Sequence, residues 1–211
     1  MRRQPTQDRA RSTVAQLLDA AAALLSEVGL EGLTTNAVAA RAGVNVATLY
    51  AYFEDKYSLV EELSERFEHQ RLEFLARQVD DLAVANDLDA WVADTIGGLA
   101  AFRAEVPASS DLRAAVASVP ALRARDHAND LAAAEQLAGA LCRLQPRLGH
   151  EAARASALTF LVSGTAVLDR ACVAGTVDQD VVDALIAMFQ NRLQALVADP
   201  PTDVPTERSN P

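Results

Sequence analysis

Cysteine, aromatic residues and long apolar runs are scarce in this 211-residue chain, and each scarcity removes a class of protein. Two cysteines, Cys142 and Cys172, cannot build a disulfide framework. They read as small buried hydrophobes in a reducing compartment, with a redox pair as the other reading. Aromatic residues make up 5% of the chain and β-branched ones are thin, whereas alanine and leucine abound. That balance favours helix over strand. The longest uncharged run, Ala155 to Leu168, contains Thr159, Ser163, Gly164 and Thr165 and is too short and polar to span a bilayer. The basic N-terminus MRRQPTQDRARS lacks the apolar run of a secretory signal. HExxH, paired ExxH, CxxC, P-loop and nucleophile-elbow patterns are all missing, so neither metal-ligating nor catalytic residues emerge. The expectation is a soluble, cytoplasmic protein that is not an enzyme, needs no cofactor or metal, and has no membrane partner.

What is present is apolar helix-forming sequence and an uneven charge. Half the residues are apolar, which suits a globular chain of one or two domains. The formal charge is −10, yet residues 1–56 balance Arg2, Arg3, Arg9, Arg11, Arg41 and Lys56 against Asp8, Asp19, Glu27, Glu31, Glu54 and Asp55. All of the excess acid therefore lies beyond residue 56. Such asymmetry hints at a nucleic-acid-facing end and a different task elsewhere. A loose basic tail on an acidic protein accounts for the charge equally well.

Apolar residues at Val14, Leu17, Leu18, Ala21, Leu24, Leu25 and Val28 recur at helical spacing, with Thr13 and Gln16 as a capping box and Gly29 as a stop. Thr34 or Thr35 can cap a second helix, Asn36 to Ala42, which Gly43 ends. Asn45 can cap a third helix to about Tyr52, and Asp55 a long fourth one from Lys56 to about Ala85. Further helices are predicted near 88–105, 109–117, 121–144, 150–174 and 178–198, punctuated by Pro107, Pro120, Pro146 and Gly175. No strand stands out. The fold class is all-α: a three-helix N-terminal unit joined by the fourth helix to a larger helical body. The divisions are a basic flexible arm at 1–11, a helix-turn-helix domain at 12–56, a helical body at 57–198 and a disordered, proline-rich tail at 199–211.

Two short helices about Ala42-Gly43-Val44 fit a helix-turn-helix. Val38, Ala42, Leu49 and Phe53 supply its core, which leaves Asn45, Val46, Ala47 and Thr48 near the exposed start of the third helix. Residues 12 to 60 resemble the DNA-binding domain of tetracycline-repressor (TetR) family transcription regulators. The resemblance rests on an alanine-rich first helix ending LLSEVGLEGLTT, then AVAARAGV, then ATLYAYFEDKYSLV. It implies backbone contacts from Thr35, Thr48, Tyr50, Tyr52 and Lys56, and base contacts from Asn36, Asn45, Val46 and Ala47. Valine and alanine cannot form bidentate hydrogen bonds, so specificity there is apolar, for instance toward thymine methyls. Arg2, Arg3, Arg9 and Arg11 could form an arm that adds phosphate or minor-groove contacts. The bland alternatives are a merely packed Tyr50 and a merely solvated Lys56.

The helical remainder suits the ligand-binding and dimerisation body that the resemblance implies. Ala157, Phe160, Leu161, Gly164 and Leu168, with Val182, Leu185, Phe189 and Leu193, are the expected homodimer contacts; burial within one subunit explains part of their pattern. Trp91, Thr95, Leu99, Phe102, Arg103, His127, Phe160 and Arg170 are the candidate lining of a small-molecule inducer pocket. The function so expected is a DNA-binding regulator, a repressor released from a palindromic operator by a small ligand, with the fourth helix as a lever. Two alternatives stand beside it. One is a helical ligand-binding protein without DNA recognition. The other is an all-helical enzyme, for which Glu65 with His69, and Asp126-His127 near Asp130, are carboxylate–histidine groupings; Glu65 and His69 also read as a solvated face.

Overall fold

The structure, a computed structural model, describes residues 5–200 other than Ala83, Pro107 and Ala174, with side chains from Arg9 onward. Arg2, Arg3 and positions 201–211 of the expected tail lie outside the described residues. The order is α1 (Pro5–Gly32), α2 (Thr35–Ala42), α3 (Val46–Tyr50), α4 (Lys56–Leu82), α5 (Leu88–Glu105), α6 (Ser109–Ser118), α7 (Pro120–Leu144), α8 (His150–Ala171), β1 (Cys172–Val173), β2 (Thr176–Val177) and α9 (Gln179–Ala198).

Two local readings change. α1 begins by Pro5, so Arg9 and Arg11 ride on helix and not on a flexible arm. Thr13 is not a cap: its hydroxyl donates to the Arg9 carbonyl at 3.0 Å, one turn back within the helix. The expected break does fall at Gly29, whose φ of 66° leaves the helical region, and a last turn follows to Gly32. At the other end α8 stops at Ala171, and β1 and β2 pair as a two-stranded ladder around Gly175. Strands this short escape periodicity, which needs several residues to register.

The chain forms two compact units that do not follow chain order. Among the described residues, one comprises those before Arg71 with 103–126 and 173–176; the other comprises 71–102, 127–172 and those from Val177 on. α4 and α7 thus each contribute to both units, where the sequence suggested one boundary at residue 56. In the first unit, Leu17, Leu18, Ala21, Leu25, Val38, Leu49, Phe53, Leu59 and Val60 are buried, and α6 adds Leu112, Ala115 and Val116. A hydrogen bond of 3.0 Å from Ser26 to Asp111 ties α1 to α6 within this unit. In the second unit the core gathers Leu82, Val92, Ile96, Leu141, Leu168, Val182, Leu185, Phe189, Leu193 and Leu196. Two stretches, Arg9–Gly32 and Gln179–Ala198, are long and apolar enough to cross a membrane. Leu17 and Leu25 in one and Leu193 and Leu196 in the other are instead fully buried against the protein.

Candidate nucleic-acid interface

The α2–α3 unit is built from local capping. Thr34 accepts the Ala37 N–H at 3.2 Å and starts α2. Gly43, at φ 69°, ends it: its N–H reaches the Ala40 carbonyl at 3.2 Å, and that of Val44 reaches Ala39 at 3.0 Å. Two residues later Asn45 accepts the Ala47 N–H at 2.8 Å and starts α3, as its sequence position suggests. α3 is only five residues long, ending at Tyr50 rather than Tyr52. Leu49 and Phe53 are buried and pin it to its own domain. Asp55 then caps α4, accepting the Ser58 N–H at 2.8 Å while its own N–H donates to Ser58 Oγ at 3.2 Å.

The outward face is unusual for so small a unit. Tyr50 is 53% exposed, Tyr52 43% and Val46 36%, and Asn36, Asn45 and Ala47 are also exposed. Large apolar side chains left in water on a compact helical unit mark a surface that meets something else. The Tyr50 hydroxyl lies 3.0 Å from Thr35 Oγ1, so α2 and α3 present two hydroxyls side by side. Thr48, half-buried, adds a third on the same short helix. Hydroxyl groups and backbone N–H groups at helix starts are suitable donors to phosphate oxygens.

Lys56 departs from a simple phosphate ligand. Its ammonium donates to the Leu30 carbonyl at 2.8 Å and the Glu31 carbonyl at 3.4 Å. It therefore satisfies orphan carbonyls at the end of α1, where a cation is favoured by the helix dipole. Sequence position placed Lys56 at the start of α4, where a cation gains nothing; only folding reveals that it serves another helix. A second fastening was missed in the same way. Arg41, on α2, grips Glu27, on α1, through two 2.6 Å hydrogen bonds. The Arg41 fork lowers the Glu27 pKa from its ordinary value of 4.5, and Glu27 in turn raises that of Arg41. Fourteen residues separate the pair, so no local signal in the sequence joins them.

The first unit also carries an ion-pair ladder on α4. Arg125 reaches Glu61 at 3.2 Å and Glu65 at 2.5 Å. Arg113 binds Asp126 in a fork at 2.7 and 3.1 Å and approaches Glu68 at 3.5 Å. Glu65 and Asp126, named above as half of two carboxylate–histidine groupings, are thus tied up with arginine. Among the described residues, no group of three or more His, Cys, Asp or Glu side chains is placed to hold a metal ion.

The expected pocket lining is scattered. Trp91 donates its indole N–H to the Gln78 carbonyl at 2.8 Å, and Thr95 donates to Gln78 Oε1 at 2.9 Å. These two therefore converge on α4 within the second unit. Leu99 and Phe102 follow on α5, half-buried. Arg103 is buried but falls in the first unit, where its carbonyl accepts from Ser109 at 2.6 Å. His127 and Arg170 are exposed, which removes them from an interior lining. Phe160 is taken up by α8–α9 packing, its ring 4.8 Å from that of Phe189.

The expected dimer residues need the larger correction. Ala157, Gly164, Leu168, Val182, Leu185, Phe189 and Leu193 are all buried inside one chain, and Phe160 and Leu161 are half-buried beside them. They are the α8–α9 seam itself. The opposite faces carry Ala155, Thr159, Val162 and Ala166 on α8, and Val181, Ala184, Met188 and Arg192 on α9, all exposed. Helical periodicity names an apolar stripe but cannot say whether its partner is the same chain or another.

Comparison with known proteins agrees with this architecture. Residues 17–63 match the tetR family of bacterial regulatory proteins, and residues 86–197 match the tetracycline-repressor-like C-terminal domain. Solved structures share the fold across nearly their whole length. A TetR-family transcriptional regulator from Streptomyces coelicolor is 22% identical with a TM-score of 0.64, covering 89% of this chain and 99% of its own. SmeT, the repressor of the Stenotrophomonas maltophilia multidrug efflux pump SmeDEF, is 20% identical with a TM-score of 0.65, covering 94% and 96%. SmeT in complex with triclosan is 21% identical with a TM-score of 0.64, covering 95% and 98%. The chain belongs to the TetR family of transcriptional regulators. It is accordingly a DNA-binding regulator with an N-terminal helix-turn-helix and a helical, ligand-binding C-terminal domain. Members of the family are soluble regulators, not enzymes.

Proposed function

We propose that this protein is a cytoplasmic, homodimeric repressor, without catalytic activity, that leaves a palindromic DNA operator when a small molecule binds its C-terminal domain. The observation that carries the reading is the face of α2, α3 and the turn after it, where Val46, Tyr50 and Tyr52 are exposed and the half-buried Thr35 hydroxyl meets that of Tyr50. In this reading Thr35, Thr48, Tyr50 and Tyr52 hold phosphates, while Asn36, Asn45, Val46 and Ala47 face bases. Lys56 contributes by fastening α1 and secondarily by its charge. Arg9 and Arg11 extend the surface as helix-borne cations. The ligand chamber is the part of the second unit around Trp91, Thr95 and Leu99, and displacement there passes along α4, which belongs to both units. A two-fold dimer through the exposed faces of α8 and α9 presents two copies of α3 to two half-sites.

The test begins with duplexes selected from a random pool and proceeds to Tyr50→Ala/Tyr52→Ala. Operator binding is expected to fall at least a hundredfold with helical content unchanged. Wild-type affinity in that variant would falsify the assignment of the face. A binding constant that ignores salt between 50 and 200 mM, where phosphate contacts weaken steeply, would argue against DNA as the ligand altogether.

A further inference from the structure

Around the first turn of α4, one side-chain donor is left uncommitted. Asp55 and Ser58 close on each other. The Ser58 N–H donates to the Asp55 carboxylate at 2.8 Å, the Asp55 N–H to Ser58 Oγ at 3.2 Å, and the Ser58 hydroxyl to the Asp55 carbonyl at 2.8 Å. Lys56 is committed to α1 through the Leu30 and Glu31 carbonyls. Tyr57 is the exception. It is 49% exposed, and among the described residues its hydroxyl has no hydrogen-bond partner. The Lys56 ammonium lies over its ring, 5.6 Å from the centroid, so a cation that is itself held by α1 steadies the ring from one side.

We propose that Tyr57 donates its hydroxyl to a phosphate oxygen of the operator backbone, and that Lys56 acts there as a positioning residue behind the ring. The proposal rests on reading the face of α2 and α3 as the DNA surface. Tyr57 borders that face through a short run of contacts. Lys56 fixes it beside Leu30 and Glu31, and Leu33 donates to the Gly29 carbonyl at 3.1 Å as the chain turns toward α2. Thr34 then caps α2, and Thr35 Oγ1 meets the Tyr50 hydroxyl at 3.0 Å. Glu31 and Thr35 are four positions apart, at most about 14 Å of extended chain. A third tyrosine thus joins Tyr50 and Tyr52 as an exposed hydroxyl on a rigid ring, a group that hydrogen-bonds phosphate and positions DNA without reading its sequence. Glu31, Glu54 and Asp55 are exposed around it, so one ammonium does not make this corner cationic. The contact is therefore a hydrogen bond from a neutral donor, and its salt dependence differs from that of a lysine.

The experiment uses the full-length protein and a duplex selected from a random pool, with binding read by fluorescence anisotropy. Tyr57→Phe keeps the ring and removes only the hydroxyl. It is expected to weaken binding about fivefold. The slope of affinity against salt should stay as in wild type, because no charge is lost. Each phosphate of the duplex is then replaced singly by an uncharged methylphosphonate. At one backbone position the replacement is expected to cost wild type about fivefold more than it costs Tyr57→Phe. Unchanged affinity in Tyr57→Phe, or equal losses in the two proteins at every phosphate, overturns the contact. So does a coupled phosphate that appears with Lys56→Ala and not with Tyr57→Phe, which returns the role to the lysine. Tyr50→Ala/Tyr52→Ala on the same duplex tells the two readings apart. Loss of binding there, with wild-type affinity in Tyr57→Phe, keeps the face and rejects Tyr57. Wild-type affinity in both variants rejects the face and the Tyr57 contact with it. Coincident urea midpoints for wild type and Tyr57→Phe are expected, since the hydroxyl has no partner within the described chain to lose; a lowered midpoint that accounts for the whole loss of affinity overturns the contact as well.

Discussion

At the residue scale, two polar groups near α3, those of Asn45 and Lys56, each do one identifiable job. In the proposed interface Asn45 commits one lone pair of its carbonyl oxygen to the Ala47 N–H and turns its amide hydrogens toward DNA. A donor next to the Val46 methyls complements thymine, which offers O4 and a C5 methyl on one edge. Replacing thymine by deoxyuridine at the contacted step is therefore expected to weaken binding severalfold, measured by fluorescence anisotropy. The same replacement should have no effect in Val46→Ala. Lys56 is also separable. Lys56→Ala removes the ammonium from the Leu30 and Glu31 carbonyls and is expected to lower unfolding free energy by about 1 kcal/mol. Urea denaturation checks this in the absence of DNA, where a residue serving only phosphates would show nothing.

At the element scale, α1 and α2 are held by the Arg41–Glu27 fork, and the sign of its pH dependence follows from the lowered Glu27 pKa. A carboxylate depressed in the folded state contributes stability above its unfolded pKa, near 4.5, and loses it as pH falls through the folded value. Melting temperatures of wild type and Glu27→Gln are thus expected to differ at pH 7 and to converge as the pH falls below 4.5 and through the lowered folded-state value. A constant difference would mean that the charge on Glu27 plays no part. Gly43 carries the turn between α2 and α3 with a positive φ that alanine tolerates poorly. Gly43→Ala is expected to cost about 1 kcal/mol and to reduce operator affinity beyond that loss, because the start of α3 shifts with the turn. Arg113 of α6 is shared by Glu68 of α4 and Asp126 of α7, all of them largely buried. Removing one partner from such a cluster leaves buried charge without compensation, so Arg113→Ala is expected to destabilise the first unit by about 3 kcal/mol in urea titration. Arg113→Lys should recover part of it, since an ammonium restores the charge but not the fork.

At the scale of the whole molecule, an acidic chain binds a polyanion because its excess acid lies beyond residue 56 while the reading face is carried before it. At physiological salt, charges separated by more than roughly 8 Å are largely screened, so the acidic body does not cancel local contacts. Full-length protein should therefore gain affinity steeply as salt is lowered. In the proposed dimer Val162→Glu separates the subunits, and it should weaken binding to a two-half-site duplex far more than to a single half-site, as a gel shift with each duplex would show.

Much of this could be read from the residues alone. Helix spans 88–105 and 109–117, the caps at Asn45 and Asp55 and the breaks at Gly29 and Gly43 follow from signals within a few residues of one another. So does the burial of Leu49 and Phe53, and with it the face that α3 leaves outside. Local chemistry dictates these because a cap, a left-handed glycine or an i,i+4 pair acts over one turn of chain. Tertiary structure alone decided which helix Lys56 serves, that Glu27 meets Arg41, and that the apolar stripes of α8 and α9 close on each other within one chain. Apolar periodicity records that a face is buried. The identity of what buries it depends on residues far away in sequence, and those are brought together only by the fold.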